Sequence, residues 1–290
     1  MSDSIIYTVL SLSGLGVSAS FLLFFVAKKF NVYEDPRIDE VESILPGANC
    51  GGCGVPGCKN FATLLVETPD ITQLHCPVGG NETMKKISEY LGKEVAEKPP
   101  MVAVLLCNGS IEARNRIVEY DGPKSCKIAD IFVASDSACD YGCDGFGDCT
   151  RVCDFDAIHM DPATNLPVVD FDKCTACNAC VVECPKGLLE LRPKVKKGLK
   201  IYVACKSQEK GGIAKKACEV ACIACSKCFD VCPKDAITIE NNLAYIHADL
   251  CTLCRKCVPV CPTFSIIETG FPPKAEKKII IEKTEEIINV

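Results

Sequence analysis

Residues 5–27 (IIYTVLSLSGLGVSASFLLFFVA) form an apolar run without a single charge. At 1.5 Å per residue this predicts roughly 35 Å of helix, enough to cross a bilayer with some tilt. The preceding MSDS lacks the positive region of a signal peptide, and the run is too long for one, so a span is expected rather than a cleaved leader. Lys28 and Lys29 follow the run and Asp3 precedes it. The positive-inside bias therefore predicts a single pass with the bulk of the chain on the cytoplasmic side of the membrane. Ser11, Gly14, Gly16, Ser18 and Ser20 would let a neighbouring helix approach closely.

Beyond residue 30 the pattern changes. Residues 31–43 are charged and read as a linker. Residues 44–92 hold two helical patterns, CKNFATLLVE and NETMKKISEYLG, the second with Asn81 as N-cap and Gly92 just past its end. KEVAEKPP (93–100) reads as a second linker. From Met101 short β-like runs alternate with cysteine groups. MVAVLLC closes on Cys107 and LKIYVAC on Cys205, and each precedes a similar block, so 101–198 and 199–270 read as two copies of one unit. In the second copy DAITIENNLAYIHADL alternates apolar and polar residues about Asn241-Asn242, the mark of a hairpin, and DFDAIHMD and LPVVD hold the same place in the first. The tail, 271–290, alternates charged and apolar residues and carries no recognisable chemistry. The fold class is α+β: a transmembrane helix over 1–30, a small four-cysteine domain, and two bacterial-type ferredoxin-like modules.

Composition decides the chemistry. The 290 residues include 24 cysteines, no tryptophan and three histidines, and 32 basic against 38 acidic residues give a net charge of −6. An acidic chain without a basic cluster is a poor partner for nucleic acid. There is no phosphate-binding loop of the G-x-x-x-x-G-K-[ST] kind, and the G-x-G at Gly14 and Gly16 lies inside the apolar run. A cytoplasmic domain would not keep its thiols as disulfides. Zinc sites recruit histidine and group their ligands as separated C-x2-C pairs. Spacing then separates zinc from iron.

Three runs read C-x2-C-x2-C-x3-C-P: Cys174, Cys177, Cys180, Cys184; Cys222, Cys225, Cys228, Cys232; and Cys251, Cys254, Cys257, Cys261. Three cysteines two apart wrap three corners of a cubane, and the fourth ligates the neighbouring cluster. Cys222, Cys225, Cys228 and Cys261 are thus expected on one [4Fe-4S] cluster, and Cys251, Cys254, Cys257 and Cys232 on another. Cys174, Cys177, Cys180 and Cys153 form a third set. The first half of the earlier copy is irregular. Cys143, Cys149 and Cys153 align with Cys222, Cys228 and Cys232, but Phe146 stands where Cys225 does and Asp154 replaces the usual proline. Cys139 is expected to fill the missing corner beside Cys143, Cys149 and Cys184, although Cys218 has the equivalent place in the later copy.

The group near the N-terminus, PGANCGGCGVPGC with Cys50, Cys53 and Cys58, then Cys76, has gaps x2, x4 and x17 and a glycine-rich backbone whose N–H groups can donate to sulfur. Five clusters on twenty cysteines are therefore expected. Cys107, Cys126, Cys205 and Cys218 remain, either as buried thiols or as ligands of a sixth cluster. His75 adjoins Cys76, while His159 and His247 sit in the module hairpins without an acid–base partner. KVKKGLK (194–200) is a candidate docking patch for an acidic protein or an ordinary solvated linker.

The order of an N-terminal span, a CGGCGVPGC domain and a closing CTLCRKCVPVCPT run resembles the B subunit of the Rnf complex, in its longer, cluster-rich form. Rnf complexes are membrane-bound, ion-translocating ferredoxin:NAD oxidoreductases. The resemblance covers essentially the whole chain. It implies a subunit that takes electrons from soluble reduced ferredoxin and passes them to other membrane, flavin and NAD subunits, with the nucleotide site on those partners. An electron-relay subunit of a hydrogenase or formate dehydrogenase is the alternative, against which the CGGCGVPGC domain argues. Neither reading needs a catalytic acid, base or nucleophile on this chain.

Overall fold

A computed structural model describes residues 2–29, 35–133, 135–195 and 198–272. Helix α1 (Ser2–Lys29) carries the apolar run, and its stretch Ile6–Lys29 is long and apolar enough to cross a membrane, with none of it buried against protein. Its hydroxyls bond back along the helix. Ser18 donates to the Gly14 carbonyl at 2.6 Å and Ser20 to that of Gly16 at 2.8 Å. This pairs polar groups that lipid could not satisfy.

The stretch expected as a linker contains helix α2 (Pro36–Ile44). Asp35 caps it by accepting from the Arg37 N–H at 2.9 Å, and Pro36 opens its first turn. Charge along this stretch masked an apolar stripe, since Ile38, Val41 and Leu45 recur at helical spacing and are buried. They pack on α3 (Cys58–Glu67) and α4 (Gly80–Leu91) through Phe61, Leu65, Met84 and Ile87. Asn81 lies inside α4 rather than at its cap. Its side-chain amide donates to the Lys98 carbonyl at 2.9 Å and accepts from the Lys98 N–H at 3.1 Å. Gly92 closes the helix in the left-handed region, φ 64°. The second linker is pinned rather than loose. Lys93 Nζ donates to the carbonyls of Leu65, Val66 and Thr68 at 2.7, 2.8 and 2.7 Å, satisfying the end of α3.

Beyond residue 100 one arrangement occurs twice. In the first copy β1 (Met101–Leu105) pairs antiparallel with β4 (Leu189–Pro193), enclosing the hairpin β2 (Ile158–Asp161) and β3 (Leu166–Val169). In the second copy β5 (Lys200–Val203) pairs with β8 (Ile266–Thr269), enclosing β6 (Ile237–Glu240) and β7 (Leu243–Ile246). Asn241 and Asn242, φ 48° and 61°, make the tight turn the sequence indicated. Short helices α5 (Cys126–Val133), α6 (Asp148–Arg151) and α7 (Ala179–Glu183) belong to the first copy, and α8 (Gly211–Ala217) and α9 (Lys227–Asp230) to the second. The copies meet through Val104 and Leu106 against Tyr202 and Ala204.

Most of the tail, 273–290, lies outside the described residues, as do Lys196 and Lys197 of the basic stretch. Lys200 does not belong to a surface patch. It is buried, with Nζ 3.3 Å from the centre of the Phe171 ring.

Candidate iron–sulfur sites

The loops of the three regular motifs share one backbone. The residues just before and just after the second cysteine are left-handed: Ala176 and Asn178 (φ 57° and 71°), Ala224 and Ser226 (51° and 64°), Leu253 and Arg255 (57° and 62°). Alternating handedness turns successive N–H groups to one concave side and makes an anion nest. Such residues cost of order 1–3 kcal/mol each unless glycine or asparagine, so the surroundings must over-determine the loop. The irregular loop keeps the same geometry where the cysteine is lost. Gly145 and Gly147, φ 78° and 76°, flank Phe146.

Among the described residues, five cavities lie inside these loops and the N-terminal domain. Cys50, Cys53, Cys58 and Cys76 line the first. Cys153, Cys174, Cys177 and Cys180 line the second, and Cys222, Cys225, Cys228 and Cys261 another. Cys232, Cys251, Cys254 and Cys257 line the cavity beside it. In the last three of these a cysteine from a distant stretch, Cys153, Cys261 or Cys232, lines the wall beside the tight loop. Among the described residues no three His, Cys, Asp or Glu side chains converge on a single-ion site. The donor sets thus fit a cubane better than zinc, which draws its ligands to about 2.3 Å from one centre.

The wall of the remaining cavity differs from the expected set. It is lined by Cys143, Cys149, Cys184 and Cys126, and Cys139 is not part of its wall. The cause is a tie between α5 and α6. The Asp148 carboxylate accepts from Ser125 Oγ at 2.8 Å and from the Lys127 N–H at 3.1 Å, which carries Cys126 to the corner that Phe146 leaves open. Phe146 turns outward onto Tyr120, with ring centroids 5.5 Å apart. Lys186 and Asp144, both buried, pair at 2.6 Å on the cavity wall.

Backbone N–H groups aim at the sulfurs. Gly79 donates to Cys76 Sγ at 3.3 Å, and Ala157 and Leu188 donate to Cys153 and Cys184 at 3.4 Å each, at equivalent places four residues on. Burial pushes the thiols the other way, toward their neutral form. It raises Cys149 and Cys257 to about 12, and Cys180 and Cys228 to about 11, with neighbouring cysteines adding to each shift. Cys143 moves in the same direction, by burial first and then by Cys107. Four thiolates cannot share such a space without positive charge between them, and iron supplies it. Buried cations stand nearby. Arg192 pairs with Glu190 through Nε and lies over the Tyr202 and Tyr245 rings, and its charge bears on Cys251. His75, lowered by burial and then by Lys98, leaves Nδ1 without a partner and contributes no acid–base pair.

Neighbouring cavities adjoin. A Cβ on Gly52 would meet the Cys177 carbonyl at 2.7 Å, and Cys50 is close enough to raise the Cys177 pKa. Cys180 acts on Cys149 in the same way, and Cys228 on Cys257.

Known proteins match this arrangement. A model for an Fe-S cluster family covers residues 45–73, a 4Fe-4S binding domain covers 167–190, and a 4Fe-4S dicluster domain covers 221–265. The B subunit of the Na(+)-translocating ferredoxin:NAD(+) oxidoreductase complex of Acetobacterium woodii is 41% identical over 87% of this chain and 74% of its own. The B subunit of the ion-translocating oxidoreductase complex of Methanosarcina acetivorans is 39% identical over 87% of this chain and 94% of its own. The proton-translocating counterpart of Clostridium ljungdahlii is 36% identical over 86% of each. A solved formate dehydrogenase–heterodisulfide reductase–formylmethanofuran dehydrogenase complex of Methanospirillum hungatei aligns with a TM-score of 0.18, at 24% identity over 45% of this chain and 51% of its own, which is no shared overall fold. With a membrane-length helix, iron–sulfur domains and relatives matched over most of their length, this chain belongs to the B-subunit family of Rnf complexes, as a membrane-associated, electron-relaying iron–sulfur subunit.

Proposed function

We propose that this chain accepts electrons from soluble reduced ferredoxin on the cytoplasmic side and relays them to the flavin and NAD subunits of its complex. Bound [4Fe-4S] clusters supply one-electron chemistry with little change of shape. What the protein contributes is placement. Cys50, Cys53, Cys58 and Cys76 would hold one cluster, Cys153, Cys174, Cys177 and Cys180 a second, and Cys126, Cys143, Cys149 and Cys184 a third. Cys222, Cys225, Cys228 and Cys261 would hold a fourth, and Cys232, Cys251, Cys254 and Cys257 a fifth.

The observation that carries this reading is the five cysteine-lined cavities, two of them paired in each ferredoxin-like module and the fifth abutting the first module at Gly52. Buried, close cofactors are what a relay needs. The coupling ion differs between relatives, and no intramembrane charge on α1 chooses one.

The test is anaerobic purification of the full chain in detergent. At least about 20 iron atoms per chain, matched by acid-labile sulfide, are expected from five cubanes. Cys126→Ala should remove one cluster from the first module. Loss on Cys139→Ala of a cluster assigned to Cys143, Cys149 and Cys184, with Cys126→Ala silent, would return the fourth ligand to Cys139. Zinc in place of iron would end the relay reading.

A further inference from the structure

Cys107, Cys139, Cys205 and Cys218 line none of the five cavities, and they are related by the internal repeat. Cys107 and Cys205 each stand two residues past an opening strand, β1 and β5. Cys139 and Cys218 each stand four residues before the first cysteine of a module, Cys143 and Cys222. Backbone pairing gathers all four. The Asn108 N–H donates to the Ala204 carbonyl at 3.0 Å, next to Cys107 and Cys205. Asn115 donates to Ala217 at 3.1 Å and Glu219 to Ala113 at 2.9 Å, a short antiparallel bridge centred on Arg114 and Cys218. Ala138 donates to Asn115 at 2.8 Å and so brings Cys139 to the same place. A Cβ on Gly109 would stand 3.2 Å from Cys218 Sγ, and Cys205 packs with Cys218.

Two further observations point to a ligand there. Cys139, Cys205 and Cys218 each accept from the backbone N–H two residues on, at Tyr141, Ser207 and Val220. Cys76, Cys143, Cys177, Cys251 and Cys261, which line the five cavities, accept in the same way from Val78, Gly145, Ala179, Leu253 and Thr263. Then there is Arg114. It is 6% exposed, one terminal nitrogen donates to the Cys143 carbonyl, and its Nε has no partner. Its charge bears on both Cys143 and Cys218. A buried cation without an anion is strongly unfavourable, so one that persists implies negative charge beside it.

We propose that Cys107, Cys139, Cys205 and Cys218 hold a sixth [4Fe-4S] cluster at the junction of the two modules, with the buried Arg114 guanidinium as its counter-charge. The proposal rests on the reading that the regular groups hold clusters. Loading would exchange a preformed [4Fe-4S]2+ cluster from the thiolates of a carrier protein to these four cysteines, whose thiol protons are released to the carrier's thiolates, with no change of oxidation state. In turnover one electron arrives from one side and one leaves to the other, and no bond breaks. The junction is placed for that, because Cys107 acts on Cys143 of the first module and Cys222 of the second acts on Cys205. Without it the two modules would be separate pairs of cofactors.

The experiment counts clusters by native mass spectrometry on the anaerobic full chain, with iron and zinc assays and EPR-monitored redox titration. Six clusters are expected in the wild type, and five in Cys139→Ala and in Cys218→Ala with the other signals unchanged. Five in the wild type and five in both variants would overturn the junction site and leave the relay reading intact, as would a zinc ion at that position. Fewer than five in the wild type would strike the relay reading itself. If either cysteine variant fails to fold, Arg114→Met decides. It should keep six clusters and move the reduction equilibrium of one EPR component at least tenfold toward the oxidised form, with Arg114→Lys restoring it. Six unaltered midpoints would remove Arg114 from the proposal.

Discussion

Gly52→Ala tests the contact between the four-cysteine domain and the first ferredoxin-like module. A Cβ at Gly52 would sit 2.7 Å from the Cys177 carbonyl oxygen, 2.9 Å from Pro77 Cγ and 3.0 Å from Cys177 Cα, where ordinary contact begins at 3.4 Å. The parts must therefore separate by roughly half an ångström or more. Neither neighbour can swing away, since one is backbone of a proposed ligand and the other a ring beside Cys76. Overpacking of this kind costs about 1–3 kcal/mol. At 1.4 kcal/mol per decade, the ratio of docked to separated forms should fall roughly 5- to 150-fold. The substitution should leave the cluster count intact, because Gly52 has no positive φ to lose. Pulsed EPR on the reduced full chain should show a weaker dipolar coupling between the Cys50-group and Cys174-group clusters, and proteolysis within 93–100 should quicken. Gly51→Ala is the control: its φ of +71° strains the loop, yet nothing lies within 4 Å of the added methyl. Unchanged coupling in Gly52→Ala, or an equal loss in Gly51→Ala, would refute the close approach.

Phe146→Cys should restore the cluster lost in Cys126→Ala, because Gly145 and Gly147 already hold the loop in the conformation of the regular motifs; a cluster count of the double variant equal to that of Cys126→Ala alone would refute this. Lys93→Met leaves three carbonyls at the end of α3 without their donor. It should destabilise the four-cysteine domain by about 1–2 kcal/mol, read as earlier loss of its EPR signal in urea. A pH effect follows from the thiols raised by burial from 9.0 to about 11 or 12. The folded state favours their neutral form, so this stability is full below pH 9 and fades as pH climbs toward 11–12. Cluster-free protein should lose urea resistance between pH 8 and pH 10.5 and loaded protein should not, since iron-bound thiolates have no proton to lose; parallel losses in both would contradict the assignment.

The sequence by itself determined the chemistry and the repeat. Cysteines spaced two and three apart wrap a cubane through local chain geometry, so the regular loops were legible without a structure, as were the hairpin at Asn241-Asn242 and the apolar helix. Charge hid α2, whose buried stripe is only Ile38, Val41 and Leu45. Which cysteine stands beside the irregular loop was not legible, because both Cys126 and Cys139 precede Cys143; in the fold Asp148 ties α5 to α6 and Cys126 lines the cavity. One signal was present in the chain: Cys218 matches Cys139 in the later copy, where the motif already has its four cysteines without it. Sequence spacing describes contacts within a loop. The approach of Gly52 to Cys177 and the gathering of Cys107, Cys139, Cys205 and Cys218 around Arg114 join segments tens of residues apart, and only the packing of one repeat on the other brings them together.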